Sequence, residues 1–393
     1  MNILHLTHTD INIDFQKKAT SIVLNNFKND SRVLKENISL LRGGYDVQVV
    51  ALHEEALKEF DSIQNIPVHR IKLKSRYWSK NKFIQLFKYF EFIYKVVRGY
   101  KKSDILHCND LNTLPIGVII KKFFNKNVKI VYDAHEYEIN DTPNESKYKI
   151  KIKYYLEKFF IKYADKVITV SDSIANEYVK LYGIEKPALV LNTPLYQKIE
   201  KKNIFRETFD IDEDKTIFLY QGGLSTGRGI EILLDAFKLI NDDKSVIVFM
   251  GYGSLESLVK KYAREYNNVY FHEAVSPDIL LNYTSSADFG ISGQVTIENC
   301  LSYYYSLPNK IFEYLMAELP IIVSDAYEMK KIVELNEIGI VSKENTPNGI
   351  KIAVEEAMKL DKEKLKTNIQ KLNTIYNWEE QEKVLLKLYR ELN

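Results

Sequence analysis

The sequence predicts two α/β domains, each a parallel sheet covered by helices on both faces, and three observations lead there. Short runs rich in Ile and Val alternate with segments of helical period. The alternation halts at a charged stretch containing Pro194 and then restarts. The length, 393 residues, exceeds what one ordinary core fills and suits two.

The first series of strand-like runs is Asn2 to Leu6, Val47 to Leu52, Val68 to Ile71, Ile105 to Cys108, Lys129 to Asp133, Lys166 to Val170 and Ala188 to Leu191. The second is Thr216 to Tyr220, Val246 to Met250, Val269 to Phe271, Phe289 to Ser292, Pro320 to Ser324 and Gly339 to Val341. Between them, Asn192 to Asp214 mixes Pro194 with dense charge, as an exposed linker does, so a boundary is expected near Pro194. Ser31 to Arg42 reads as a helix stopped by Gly43 and Gly44. Ile230, Leu233, Leu234, Phe237 and Ile240 line one face of another.

Composition excludes several classes. With 45% hydrophobic and 27% charged residues the chain is neither disordered nor fibrous. No apolar run approaches the roughly 18 residues that span a bilayer, and Met1 to Leu6 reads as a strand rather than a signal peptide, so a cytoplasmic location is expected. Cys108 and Cys300 are too few for a disulfide framework or a cysteine zinc site. The net charge is only +2, but Arg70 to Lys102 holds eleven Lys or Arg against Glu91 alone, and Lys147 to Lys166 holds seven Lys against two acids. Aromatics sit among these bases, Phe83, Phe87, Tyr89, Phe90, Phe92 and Tyr94 included. Such a mixture suits an anionic surface, either lipid headgroups or nucleic acid.

Open parallel sheets bind ligands at the carboxyl ends of their strands, so the loops after strands are the candidate sites. Gln221 to Gly229 (QGGLSTGRG) follows a strand and opens a helix. Its glycines, Gly222 and Gly223 first, admit an anion to backbone N–H groups at a helix start, and Arg228 adds a fixed cation. The same sequence also suits a plain tight turn. In Ser306 to Glu313 (SLPNKIFE), Leu307 and Pro308 lead into a helix whose first turn carries Asn309 and Lys310. A lysine there opposes the helix dipole, which a bound anion would explain, while Glu313 lies one turn on, within reach of sugar hydroxyls. As an alternative, Lys310 and Glu313 form a solvated surface pair. A third loop, Met250 to Ser254, contributes Gly253. In the first half, His107 to Asp110 and Tyr132 to Glu136 end strands with histidines and carboxylates. His107, Asp110, His135 and Glu136 match no recognised ligand spacing, so no metal is expected.

These residues resemble the retaining glycosyltransferases of family 4, with the GT-B architecture. The likeness is strongest over Ser306 to Asp325 (SLPNKIFEYLMAELPIIVSD) and Gln221 to Phe237 (QGGLSTGRGIEILLDAF), supported by NDSRVLKE from Asn29, YDAHE from Tyr132, VITVSDS from Val167 and the segment from Trp378 to Tyr389. It implies two Rossmann-like domains facing across a cleft: residues 1–193 on the acceptor side, 194–376 on the nucleotide-sugar side, and a terminal helix, 377–393, crossing back. It further implies that Arg228 stands against the donor diphosphate, that Glu313 holds the ribose hydroxyls and that Asn309 and Lys310 share the phosphate contact. His135 would touch the donor sugar, and Asp30 and Arg32, with Asp110 and Glu136, would lie towards the acceptor. The sequence departs from the family at Gly223, where many members carry an arginine, and at Tyr305, where the first glutamate of a pair is usual.

On this reading Arg228, Lys310 and His135 carry catalysis, Gly222, Gly223, Gly253, Leu307, Pro308, Asn309 and Glu313 bind the donor, and no metal or cofactor takes part. The partners expected are a nucleotide diphosphate sugar, a carbohydrate or lipid-linked acceptor and an anionic membrane surface met by residues 74–102, with no nucleic acid. A nucleotide-sugar epimerase or hydrolase of the same fold is the alternative, and a basic membrane- or nucleic-acid-binding protein the non-enzymatic one.

Overall fold

The computed structural model describes residues 17–142, 145–240, 242–293 and 300–392. The expected strand Asn2 to Leu6 lies outside them.

The first sheet has eight strands: β1 (Lys18–Ile22), β2 (Asp46–Leu52), β3 (Phe60–Ile63), β4 (Ile66–Ile71), β5 (Ile105–Asn109), β6 (Lys129–Ala134), β7 (Lys166–Thr169) and β8 (Ala188–Leu189). Their order is β3-β4-β2-β1-β5-β6-β7-β8. β1 pairs in parallel with β2 and β5, and the β3–β4 hairpin is antiparallel. The second sheet has six strands: β9 (Thr216–Gly223), β10 (Ser245–Tyr252), β11 (Val269–Glu273), β12 (Phe289–Ser292), β13 (Ile321–Val323) and β14 (Gly339–Val341). Its order is β11-β10-β9-β12-β13-β14, and every neighbouring pair runs parallel.

Two strands were not expected from the sequence. β1 reads Lys-Ala-Thr-Ser-Ile, too polar for the Ile/Val criterion, yet Thr20 and Ser21 are buried. Their hydroxyls are satisfied laterally, Thr20 with Ser103 and Gln48 and Ser21 with Asn37, which is what lets a polar strand occupy the sheet centre. β3 is an edge strand closed onto β4 by Gln64 and Asn65, both at positive φ (48° and 67°), as a two-residue hairpin demands.

Strand alternation builds the core of the second sheet. Leu219, Val248 and Met250 meet Ile311, Phe312 and Leu315 on one face, while Phe218, Tyr220 and Phe249 meet Ile230, Leu233 and Phe237 on the other. Because β9 is flanked by β10 and β12, the chain switches direction of travel beside it, and the loop after β9 opens at that switch point.

The chain forms two compact units, one of residues up to Asp133 with Phe160–Val167 and those from Leu385 on, the other of Ala134–Phe159 and Ile168–Val384. Within the first, Tyr389 from the helix Trp378–Arg390 packs edge-on against Tyr45, ring centres 5.2 Å apart, and its hydroxyl lies 2.8 Å from His107 Nδ1.

The helix Lys82–Tyr100, also in the first unit, shows two distinct faces. Phe92, Ile93, Val96 and Val97 are buried, whereas Phe83, Phe87, Phe90 and Tyr94 form an exposed stripe at helical spacing. The loop before the helix is fastened to it. Glu91 accepts from the backbone N–H groups of Lys74 and Ser75 and from the Ser75 hydroxyl, and the Lys88 ammonium donates to the Trp78 carbonyl. Burial opposes the charge on Glu91, but the Ser75 hydroxyl and these backbone donors hold its carboxyl down at about 2. Trp78 consequently stacks flat on Phe87, the rings 5.5 Å apart and 4° from parallel. Among the described residues no helix is long and apolar enough to cross a membrane.

Candidate functional site

The loop after β9 and the start of the helix Asn309–Met316 come together in the second unit. Gly222 has φ +113°, and a Cβ there would stand 3.7 Å from Lys310 Cε and 3.8 Å from its Nζ. Gly229 opens the helix Ile230–Leu239 at φ +80°, where a Cβ would be driven to 1.7 Å from the Gly293 carbonyl oxygen, so only glycine fits.

Lys310 is buried, 9% exposed, with its ammonium 3.6 Å above the centre of the Tyr220 ring. The Tyr220 hydroxyl donates in turn to the Gly223 carbonyl at 2.9 Å. Burial pushes the Lys310 amine well below the ordinary lysine range, the Arg228 guanidinium pushes it further, and Glu313 offsets part of this. Arg228 and Lys310 thus bring two basic side chains to one locality. The Arg228 guanidinium lies 5.7 Å from the Tyr303 ring centre. Burial raises the Tyr303 phenol while Arg228 draws it down.

Pro308 caps the helix Asn309–Met316 at φ −67°, with no side-chain hydrogen bond at its N-terminus. Leu307 and Pro308 are half-buried and Asn309 is exposed. Glu313 accepts from Gln221 Nε2 at 2.6 Å, and Gln221 Oε1 accepts from the Thr284 hydroxyl at 2.8 Å. Gly253, at φ +152°, has a packing reason of its own, since a Cβ there would come within 2.3 Å of the Leu224 carbonyl oxygen.

The loop after β6 meets the short helix Leu301–Tyr305 in the same unit. The Ser302 hydroxyl donates to Glu136 at 3.4 Å and accepts from the Tyr137 N–H at 3.4 Å. Tyr305, at the position of the family's first glutamate, stands edge-on to Tyr137 with ring centres 6.2 Å apart. His135 is half-buried and Glu136 exposed beside these contacts.

The remaining expected residues belong to the first unit and have structural duties there. Asp30 caps the helix Ser31–Arg42, accepting from the Val33 N–H at 3.2 Å and from Asn25 at 2.8 Å. Arg32 is buried and turned inward, its guanidinium forking onto Asp133 at 2.8 to 3.1 Å and reaching Glu36 at 3.2 Å. Burial works against the Arg32 charge, and Asp133 and Glu36 outweigh it. Asp110 holds a left-handed backbone, φ +63°, and its N–H donates to the Asp133 carbonyl at 2.8 Å.

Among the described residues the grouping able to hold a metal ion is Glu36, His107 and Asp133, whose ligand atoms lie within 4.8 Å of one another. A divalent ion there would face the Arg32 guanidinium, already bound to both carboxylates, so the set reads as a buried charge cluster. Sequence reasoning missed Gln221, Thr284 and Tyr303. Gln221 alone carried a signal, a polar residue closing an otherwise apolar strand immediately before two glycines.

Parallel sheets with a glycine loop at a switch point and two cations at helix starts define a class, and comparison with known proteins identifies it. Residues 201–372 match the family Glycosyl transferases group 1 and residues 38–193 match Glycosyltransferase Family 4. The protein is a glycosyltransferase of GT-B fold, similar over its first half to the one family and over its second half to the other. It is 24% identical over 336 residues to the uncharacterized glycosyltransferase MJ1607 of Methanocaldococcus jannaschii, covering 81% of this chain and 82% of that one. Among solved structures it is similar to the sucrose-phosphate synthase of Thermosynechococcus elongatus, with TM-score 0.79, 17% identity and coverage of 96% and 99%. It is also similar to Anabaena HepE, solved in complex with UDP and glucose, with TM-score 0.71, 15% identity and coverage of 95% and 100%.

Proposed function

We propose that this glycosyltransferase moves a sugar from a nucleotide diphosphate donor to an acceptor hydroxyl with retention of anomeric configuration and without a metal ion. The observation that carries the reading is the buried Lys310 ammonium lying beside the positive-φ Gly222 of the loop that also carries Arg228. Holding two cations against their repulsion costs stability unless the site exists for an anion, and a pyrophosphate repays that cost. The complexes of Anabaena HepE with UDP and with UDP-glucose support a donor of this chemical class.

In the reaction the bond from the anomeric carbon to the diphosphate oxygen breaks as the bond to the acceptor oxygen forms on the same face. The acceptor's proton passes to the departing phosphate oxygen, so no enzyme nucleophile is needed. Arg228, Lys310 and the N-terminus of the helix Asn309–Met316 stabilise the charge that gathers on the leaving group. Glu313 takes the ribose hydroxyls, with Gly222, Gly223, Leu307, Pro308 and Asn309 framing the diphosphate. His135 serves the donor sugar, and Glu136, Asp30 and Asp110 serve the acceptor side.

The acceptor is a carbohydrate or a lipid-linked saccharide, in the assembly of surface polysaccharide or glycolipid. A membrane-held acceptor accords with the helix Lys82–Tyr100, whose exposed Phe83, Phe87, Phe90 and Tyr94 lie among lysines and arginines. Aromatics flanked by bases enter an anionic headgroup layer.

Thermal unfolding with UDP, GDP, ADP and CMP, each with its sugar conjugates, tests the reading, because binding raises the melting temperature according to affinity. One nucleotide class raises it. Incubation of that sugar nucleotide then gives transfer only when an acceptor is added. No shift with any nucleotide removes the donor site, and donor consumption without acceptor makes the protein a hydrolase or epimerase.

A further inference from the structure

Gln221 closes β9 and is 2% exposed. Its side-chain amide lies between Glu313 Oε2, at 2.6 Å, and the Thr284 hydroxyl, at 2.8 Å. A carboxylate only accepts hydrogen bonds, so the amide NH2 must face Glu313 and the amide oxygen must face Thr284. Chemistry therefore fixes the orientation of the amide. The residue is held at its backbone as well, where the N–H donates to the Tyr314 hydroxyl at 3.0 Å and that hydroxyl donates to the Leu219 carbonyl at 2.9 Å.

Glu313 thus receives a short, charge-assisted hydrogen bond from a side chain with little freedom to move. The bond is made by Gln221 on β9, itself held by Thr284 on the helix Leu280–Thr284, and both elements are separate from the helix Asn309–Met316 that carries Glu313. Lys310 stands one helical turn before Glu313, so whatever aims this carboxylate sets it relative to the cation.

We infer that Gln221 is a positioning residue for the nucleoside: it fixes the Glu313 carboxylate as acceptor for the ribose hydroxyls and so sets nucleoside affinity separately from diphosphate affinity. This rests on the donor reading above. Thr284 supports it by holding the amide oxygen.

Titration calorimetry on the full chain tests the assignment with three probes: whichever of UDP, GDP and ADP binds, the 2′,3′-dideoxy form of that nucleotide, and inorganic pyrophosphate. Gln221→Met keeps the side-chain length and removes both hydrogen bonds. It weakens the ribonucleotide by about tenfold, the scale of one hydrogen bond to a charged group, and leaves pyrophosphate and the dideoxy form within about twofold of wild type. Thr284→Val, which leaves Glu313 and Gln221 in place, moves the ribonucleotide in the same direction by less. In turnover Gln221→Met raises KM for the donor and leaves kcat near wild type. Equal weakening of all three probes, or no weakening in either variant while wild type binds the ribonucleotide, overturns the role of Gln221 alone. A wild-type protein that binds neither nucleotide nor pyrophosphate overturns it together with the donor site.

Discussion

The Lys310 ammonium stands 3.6 Å over the Tyr220 ring while burial and the Arg228 charge draw its pKa downward. The ring face offsets only part of that loss. Below the ordinary lysine range the unfolded chain binds a proton at this position that the folded chain releases more readily. Through this group, then, stability rises with pH until the ordinary lysine value is reached. The expected outcome is that Lys310→Met melts at a higher temperature than wild type at pH 7 and that the gap narrows towards pH 10. Melting curves across this range check it, and a variant less stable than wild type at pH 7 contradicts it. An anion bound beside Lys310 favours the charged amine, so UDP binding takes up protons over the pH range, below the ordinary lysine value, in which the free amine is partly deprotonated. Calorimetry in two buffers of different ionisation enthalpy measures that uptake, and Lys310→Met removes it.

On the proposed mechanism, stabilisation of the leaving group rests on Arg228 and Lys310. Substituting either with alanine lowers turnover by roughly two to three orders of magnitude, the scale for losing one preorganised charge stabiliser. Saturating donor does not restore the rate, because the loss falls on the transition state rather than on binding. A chelator leaves the rate unchanged. Steady-state assays of both variants, and of wild type with EDTA, check these points, and loss of activity restored by magnesium contradicts the metal-free mechanism.

How far the sequence revealed this molecule depends on which physical signal each part carried. Strands such as Val246 to Met250 were legible because they are buried on both faces and apolar throughout. β1 was not, because Thr20 and Ser21 satisfy their hydroxyls through residues remote in sequence, Ser103 and Asn37. The glycine loop and Lys310 were legible because each breaks a local rule, positive φ at Gly222 and a cation at a helix N-terminus. The fork of Arg32 onto Asp133 was not legible, because its partner lies 101 residues away. Gln221 and Thr284 escaped for the same reason: their meaning lies in a contact 63 residues apart.

The aromatic stripe on the helix Lys82–Tyr100 makes its own prediction. Trp78 and Trp378 are the only tryptophans, and Trp78 is 51% exposed whereas Trp378 is 3% exposed. Trp78 stacks on Phe87, so entry of that stripe into a bilayer carries the indole into the headgroup layer. Fluorescence therefore shifts to the blue on adding vesicles of phosphatidylglycerol, and high salt reverses the shift as it screens the bases. Phe83→Ser with Phe87→Ser abolishes both the shift and flotation with those vesicles. An unchanged spectrum, or equal binding to neutral phosphatidylcholine vesicles, contradicts the docking.

The buried cluster of Arg32, Glu36, Asp133 and His107 yields the last prediction. Arg32 is the fixed cation between two carboxylates, 2.8 Å from Asp133 and 3.2 Å from Glu36. Arg32→Leu strands both carboxylates in the core, and losing one partner of a buried pair costs about 3 to 5 kcal/mol. Urea unfolding of the variant and of wild type measures the deficit, and a negligible deficit would mean that the arginine does not hold the cluster.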